Sequence, residues 1–159
     1  MNIKKIKILS FFFLISFNIS LNAQKKSSTD DLKWRNIGPA NMMGRIAAID
    51  ASNKDYRNVL IASASGGVFK SNNAGITWES IFDNYGAGSI GSVKFDQNNL
   101  NTIWVGTGES ANRNSSAWGD GIYKSTDGGK TFQNMGLKST HQIAEIEIHP
   151  ENSNIVYAA

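Results

Sequence analysis

Residues 90–106 are IGSVKFDQNNLNTIWVG, and the same pattern of apolar residues occurs twice more, at 46–62 and 143–159. The copies start 44 residues apart (46 to 90) and 53 residues apart (90 to 143). In each copy a run with apolar residues at its first, fourth and sixth positions leads through a polar turn to a nearly continuous apolar run. Short β-type runs with a period in the forties are typical of a β-propeller, a radial array of small sheets. The sequence therefore predicts an all-β propeller of four-stranded antiparallel blades.

An octamer that occurs twice makes this prediction more specific. Residues 71–78 (SNNAGITW) and 125–132 (STDGGKTF) both fit the pattern Ser-x-Asp-x-Gly-x-Thr-Trp, the Asp-box or BNR motif. The Ser and Asp or Asn oxygens can accept hydrogen bonds from the backbone of a hairpin turn, and glycine tolerates a positive φ there. The threonine is expected to start the outer strand, and the aromatic ring to fill the gap between blades. The residues given this structural role are Ser71, Asn73, Gly75, Thr77, Trp78, Ser125, Asp127, Gly129, Thr131 and Phe132.

The loops of such blades divide between two faces. In an antiparallel meander alternate loops emerge on the same side, so the turn at 52–58 and the two octamers are expected to share one face. An insertion at about 109–119 lengthens the second copy, and it is expected on the opposite face. The third copy stops within its second predicted strand, whereas propellers close with about 4–8 blades. We therefore expect about two and a half blades of a longer protein, at about 44–82, 88–134 and 141–159.

The N-terminal region predicts an export signal at residues 1–23. Three lysines precede an apolar run at 8–17, and the small residue Ala23 offers a cleavage point before Gln24. The apolar run is too short for a membrane span of about 20 residues. A polar lead-in at 24–33 then precedes the propeller, which is expected at 34–159. The protein is thus expected to be secreted, periplasmic or on the cell surface, without a membrane span once the signal is removed.

Charge and residue content exclude further classes of protein and of functional site. Without the three lysines of the signal, the chain has 13 basic and 13 acidic residues, which gives no electrostatic footprint for a nucleic acid. The absence of cysteine excludes a disulfide scaffold. His141 and His149 fall in different predicted loops, and no zinc spacing, catalytic triad or phosphate-binding loop can be assembled. No metal and no cofactor is therefore predicted. The stretch 96–99 is interpreted as a surface turn, with a calcium site as the alternative.

Several segments together resemble a family of large secreted Asp-box proteins. They are residues 34–41, 44–46, 64–71, 105–109 and 118–131. Such proteins are common in Bacteroidetes and are usually labelled sortilin-like propellers or glycosyl hydrolases. The resemblance covers about 34–159, and it implies an exported propeller that binds an extracellular protein or polysaccharide through the face opposite the octamers. The alternative is a glycoside hydrolase, similar to propeller xyloglucanases or sialidases, whose catalytic carboxylates lie partly in other blades. A weaker third hypothesis is an assembly factor on the same fold.

The hydrolase alternative can be compared with the residues. In propeller xyloglucanases, a Thr-Asp-Ile-Gly-Gly stretch of the first blade supplies one catalytic carboxylate. The matching stretch here is residues 63–67 (SASGG), so Ala64 stands where that aspartate would be. Glycoside hydrolysis ordinarily needs two carboxylates about 5–9.5 Å apart. Sialidases need an arginine cluster and a tyrosine nucleophile, which this sequence does not show.

The insertion holds most of the candidate functional residues, because loops on a rigid scaffold carry function disproportionately. Trp118 could stack on a sugar ring or on a partner's side chain, while Glu109 and Arg113 could orient polar groups. The opposing hypothesis is a hairpin that folds Trp118 back on its own blade and pairs Glu109 with Arg113. Arg45 could line a central channel, or form an internal ion pair. The ligand-binding candidates are Glu109, Asn112, Arg113, Trp118, Asp120 and Arg45.

Overall fold

A computed structural model describes residues 45–111 and 114–159. The predicted signal, the lead-in and the start of the predicted propeller, together with Asn112 and Arg113, lie outside the described residues. Blade 1 consists of β1 (Ile46–Ala51), β2 (Val59–Ser63), β3 (Gly67–Ser71) and β4 (Glu79–Ser80). Blade 2 consists of β5 (Ile90–Asp96), β6 (Asn99–Thr107), β7 (Ile122–Ser125) and β8 (Gln133–Gly136). A third sheet contains β9 (Ile146–Ile148) and β10 (Val156–Ala158).

All three sheets are antiparallel, and in each of them a strand pairs with its neighbours in sequence; the third is a two-stranded hairpin. Their first hairpins share one register, since the pairs Ala51–Val59, Phe95–Ile103 and Ile148–Val156 occupy equivalent places. The described part of the chain is all-β, without a helix. It accordingly contains no helix long and apolar enough to cross a membrane. The predicted fold class, four-stranded antiparallel propeller blades, is confirmed.

Blades 1 and 2 share a hydrophobic core. Blade 1 contributes Leu60, Val68 and Phe82, and blade 2 contributes residues such as Val93 and Val105, all of them at most 2% exposed. The Phe82 ring packs edge-on against Tyr123 and Phe132, with ring centroids 5.2 and 5.1 Å away. Burying a side chain of this size stabilises the fold by about 1.5–3 kcal/mol. The core between the blades fixes their relative placement without a disulfide.

A second, smaller core joins blade 2 to the β9–β10 hairpin. It consists of Trp104 and Ile122 from blade 2 with Ile143 and Ile146 from the third copy. Gly106 lies so close to this contact that an added Cβ would stand 2.5 Å from Cγ2 of Ile143. Glycine at this position of β6 therefore lets the third sheet approach blade 2.

The first octamer closes the turn between β3 and β4 with side-chain oxygens. The Ser71 hydroxyl accepts hydrogen bonds from the backbone N–H groups of Asn73 (3.2 Å) and Gly75 (2.8 Å). Oδ1 of Asn73 accepts the N–H of Thr77 at 2.9 Å. Gly75 has a φ of 84°, which a residue without Cβ adopts at low cost.

The second octamer repeats this arrangement between β7 and β8. The Ser125 hydroxyl accepts the N–H groups of Asp127 (3.3 Å) and Gly129 (2.9 Å). The Asp127 carboxylate accepts both the N–H (2.9 Å) and the hydroxyl (2.6 Å) of Thr131. These contacts organise the turn itself, which agrees with a structural role.

Two details differ from the sequence-based expectations. Thr77 and Thr131 precede the outer strands, which begin at Glu79 and Gln133, because the Asn or Asp side chain holds the threonine N–H in the turn. The first strand of the third copy begins at Ile146 rather than Ile143, since the N–H of Ile143 bonds to the Thr107 carbonyl of blade 2 at 3.0 Å.

The two aromatic residues that end the octamers differ in exposure. Phe132 is buried, with 9% exposure, against Phe82 and Tyr85. Trp78 occupies the equivalent place on blade 1, yet 41% of it is exposed. The reason is that blade 1 covers blade 2 on this side, whereas no described sheet covers the corresponding side of blade 1. Phe132 therefore fills a gap between described blades, whereas for Trp78 this expectation stays a prediction.

We expect Asp127 to make the stability of the protein depend on pH in the acidic range. Hydrogen bonds from Thr131 and Ser125 hold the pKa of the Asp127 carboxyl well below its usual range. A carboxyl whose pKa is lower in the folded state than in the unfolded state stabilises the fold at any pH above the unfolded pKa, which is about 3.9. This stabilisation is lost as the pH falls through the folded-state pKa. On acidification from about pH 5 to about pH 2, the unsubstituted protein should therefore lose more stability than Asp127→Asn. Thermal unfolding midpoints across this range check it, and equal losses would contradict it.

Candidate functional site

The loop between β6 and β7 places the insertion on the face opposite the octamers. Strand direction alternates in the meander, so this loop emerges on the side away from the β5–β6 and β7–β8 turns. The loop between blade 2 and the third sheet, which carries His141, emerges on the same side. We call this side the insertion face.

Close backbone contacts hold the insertion against the next loop. The N–H of Gly119 donates a hydrogen bond to the His141 carbonyl at 2.8 Å. Gly108 has a φ of 85°, and an added Cβ there would collide with the same carbonyl. Both ends of the insertion thus lie against the segment around His141. Glycine is required at 108 by the backbone angle and by the contact together.

Trp118 forms a flat platform on the insertion face. Its ring stacks on the His141 imidazole with centroids 4.0 Å apart and planes inclined by only 5°. Although one ring face is covered in this way, Trp118 remains 68% exposed, so the other face is open to solvent. The ring stacks on its partner rather than packing into the core of blade 2. Such an open aromatic surface is suited to stacking on a flat apolar ligand.

Glu109 lies at the base of the insertion in an inter-blade ion pair. Its carboxylate contacts the guanidinium of Arg45, which precedes β1 of blade 1. The Glu109 side chain is 3% exposed and the Arg45 side chain 42%. The backbone N–H of Glu109 donates to the Ser89 hydroxyl at 3.0 Å. The expected pairing of Glu109 with Arg113 involves a residue outside the described ones. The contact that is seen joins Glu109 to Arg45, for which an internal ion pair was one of the two expectations.

Asp120 is held by neighbouring side chains at the end of the insertion. Its Oδ2 accepts the hydroxyl of Tyr123 at 2.6 Å, and its backbone N–H donates to the Thr107 hydroxyl at 2.8 Å. Burial, together with the hydrogen bond to Asp120, raises the pKa of the Tyr123 phenol. An added Cβ on Gly86 would collide with the same Oδ2. The geometry makes Asp120 a positioning residue that locks the insertion to β7.

Ala64 follows directly after β2 and is 3% exposed. Its backbone N–H donates to the carbonyl of Arg45 at 2.9 Å. This position therefore contributes a buried methyl group. It offers no carboxylate at the place where the resemblance would put one.

The sequence analysis missed a charged cluster. It lies at the end of the first strands that is away from the insertion face. Asp50, Lys94 and Glu147 are the fifth residues of the three copies, and they line a cavity of ≈ 290 Å³. The Lys94 ammonium lies 2.8 Å from a Glu147 oxygen, and Oδ2 of Asp50 accepts the N–H of Phe95 at 2.7 Å. Burial raises the pKa of Asp50. The repeated position was the signal that could have revealed this cluster.

Comparisons with known proteins identify solved structures only. No protein-family model and no curated protein matches the sequence. An ancestral GH74 enzyme matches with a TM-score of 0.58 and 28% identity, over 73% of this chain and 13% of that chain. The GH74 enzyme of Niastella koreensis matches with a TM-score of 0.55 and 24% identity, over 70% of this chain and 16% of that chain.

The GH74 enzymes are glycoside hydrolases that contain β-propellers, and the blades of this chain are similar to theirs. This chain spans only 13% and 16% of their lengths. The similarity supports the β-propeller fold. The more specific Asp-box and sortilin-like assignments stay predictions.

Proposed function

We propose that the insertion face binds a polysaccharide, with Trp118 as the stacking platform, in a propeller of the glycoside hydrolase type. The observation that carries this proposal is the Trp118 ring, which is 68% exposed and fixed at 4.0 Å over His141. A pyranose ring presents C–H groups on its flat faces, and these pack well against the electron-rich face of an indole. A stacked imidazole keeps the ring oriented before the ligand arrives, so less conformational entropy is lost on binding.

The similarity to glycoside hydrolases supports a polysaccharide over a protein as the ligand. It does so at the level of the fold, because the two structures share blades with this chain and are themselves GH74 enzymes. Export to the cell surface, periplasm or medium, where polysaccharides are met, belongs to the same proposal and rests on residues 1–23 of the sequence.

Affinity electrophoresis of the protein's full natural chain tests this function. Gels containing soluble β-glucans, xylans, mannans and α-glucans are compared with a gel without polysaccharide. Retardation by at least one class is expected, and added oligosaccharide of that class should relieve it. Equal mobility in every gel would contradict polysaccharide binding and would favour a protein as the ligand.

Hydrolysis is a second candidate function, which the two GH74 structures favour. We propose that Glu109 and Asp120 are not its acid and base. The Glu109 carboxylate already contacts the Arg45 guanidinium, and Glu109 is almost fully buried. Asp120 already accepts the Tyr123 hydroxyl. A hydrolase built on these blades therefore takes its proton donor and its nucleophile or base from other residues of the protein.

Reducing-sugar release by the full natural chain tests this second candidate. If the protein hydrolyses a polysaccharide, Glu109→Gln and Asp120→Asn should retain release within about threefold, because each keeps the shape of a group that does not react. A loss of about 100-fold or more in either variant, with an unchanged unfolding midpoint, would instead assign that carboxylate to general acid–base catalysis. Absence of release on every polysaccharide that binds would leave binding as the function.

A further inference from the structure

Leu137 combines two features that are unfavourable for an ordinary loop residue. It follows β8 directly, at the start of the loop that leads to the third sheet, and it has a φ of 57°. A residue with a Cβ adopts this left-handed conformation at a cost, which glycine avoids and asparagine reduces. Leu137 is also apolar and 51% exposed. Neither the turn nor the packing of the described residues accounts for a leucine at this position.

The corresponding position of blade 1 shows that this place stays open when the next blade is present. Asp83 stands 54 residues before Leu137, which is also the offset between the two octamers, and Asn84 is its neighbour. Both are exposed, although blade 2 packs against the same side of blade 1 and buries Phe82 there. Both are also polar, as is usual for exposed residues. Leu137 therefore puts an apolar side chain at a place where blade 1 has polar ones.

Backbone contacts place Leu137 beside the Trp118 platform. An added Cβ on Gly121 would lie 2.9 Å from the carbonyl carbon of Leu137, so the two backbones are in contact. Three residues span at most about 11 Å, which limits the distance between the Cα atoms of Trp118 and Gly121. The loop that Leu137 begins also carries His141, on which Trp118 stacks. Two exposed apolar side chains thus lie at the two ends of residues 119–121.

We propose that Leu137 is a second contact of the polysaccharide site, and that the site binds an extended chain segment of several sugars rather than one terminal sugar. One sugar stacks on Trp118, and the chain continues across residues 119–121, so that a further sugar packs its C–H groups on Leu137. Backbone strain of this kind persists at ligand clamps, where the contact with the ligand offsets its cost. This inference rests on the proposed polysaccharide binding and adds to it the length of the ligand.

Leu137→Asn distinguishes a ligand contact from a structural role, because asparagine tolerates a positive φ and removes the apolar surface. The unfolding midpoint of the full natural chain should stay the same or rise. Isothermal titration is made with linear hexasaccharides and disaccharides of the β-glucan, xylan, mannan and α-glucan series. Kd for the hexasaccharide that binds should increase about 4- to 10-fold, as expected when the burial of roughly half a leucine side chain is lost.

The unsubstituted protein should bind this hexasaccharide at least about tenfold more tightly than the disaccharide, and Leu137→Asn should reduce the ratio. Equal affinities for the two lengths would overturn the extended site. Ala74→Asn is the matched control, since Ala74 is the other described non-glycine residue with a positive φ, also 57°, and lies in the first octamer on the opposite face. It should change the unfolding midpoint as Leu137→Asn does and leave every Kd unchanged.

Three outcomes separate this inference from the proposed function. A clearly lower midpoint in Leu137→Asn would make Leu137 a structural residue, and an unchanged hexasaccharide Kd would remove it from the site. Either result overturns the inference, while polysaccharide binding stands as long as Trp118→Ala weakens it. Binding of no saccharide by the unsubstituted protein would overturn the proposed function and this inference together.

Discussion

Replacing Trp118 with alanine is expected to abolish most of the proposed polysaccharide binding. The indole is the open aromatic surface of the insertion face, and it is already fixed by its stack on His141. Truncation of a tryptophan that anchors a ligand typically costs about 2 kcal/mol or more, which corresponds to roughly a 30-fold increase in Kd. Isothermal titration of the full natural chain with the oligosaccharide selected by affinity electrophoresis measures this change.

Two variants make the result specific to the platform. Trp118→Phe keeps an aromatic face and should retain part of the affinity. Tyr56→Ala removes an aromatic side chain that is also well exposed, at 77%, but lies in the turn at the opposite end of the blades, and it should bind like the unsubstituted protein. Equal affinities of Trp118→Ala and the unsubstituted protein would contradict the proposed site.

Arg45→Met is expected to destabilise the protein by about 3 kcal/mol, the lower end of the range for breaking a buried ion pair, since Arg45 is itself partly exposed. The loss arises because the Glu109 carboxylate, 3% exposed, would remain buried without its cation. Removing both charges together, in Arg45→Met with Glu109→Leu, should recover most of the loss. Urea unfolding of the full natural chain measures the free energies.

A second arginine provides a matched control for this prediction. Arg57 pairs with Asp55 at 2.8 Å on the surface of the β1–β2 turn, and its side chain is 64% exposed. Arg57→Met should leave the free energy of unfolding nearly unchanged, because solvent screens an exposed pair. If Arg45→Met were as harmless as Arg57→Met, the inter-blade ion pair would not stabilise the fold.

The fold could be predicted from the sequence because each blade has a pattern of residues that lies within its own stretch of the chain. Apolar alternation, polar turns and the octamers are local signals, and residues such as Val93 and Ile103 are buried where the repeat indicates. The start of β9 could not be predicted, since it depends on a backbone bond between Ile143 and Thr107 of blade 2. The exposure of Trp78 likewise depends on what covers blade 1, which its own repeat does not encode.

The position of the candidate site could be predicted from the sequence, but the contacts between its residues could not. The extra length of the second copy correctly indicated the insertion and its face. The partners within it are set by how neighbouring loops meet in space. For this reason the stack of Trp118 on His141 carried no sequence signal. An internal ion pair of Arg45 could be suggested, but its partner Glu109 could not. Asp120 belongs to no repeated motif, so its hydrogen bonds with Tyr123 and Thr107 could not be predicted from the sequence either.

A crystal structure of the full natural chain with a bound oligosaccharide tests polysaccharide binding at the insertion face most directly. We expect a sugar ring lying parallel to the open face of Trp118, with the His141 imidazole behind the indole. An oligosaccharide bound on the octamer face, or an indole whose open face is covered by another part of the protein, would contradict the account.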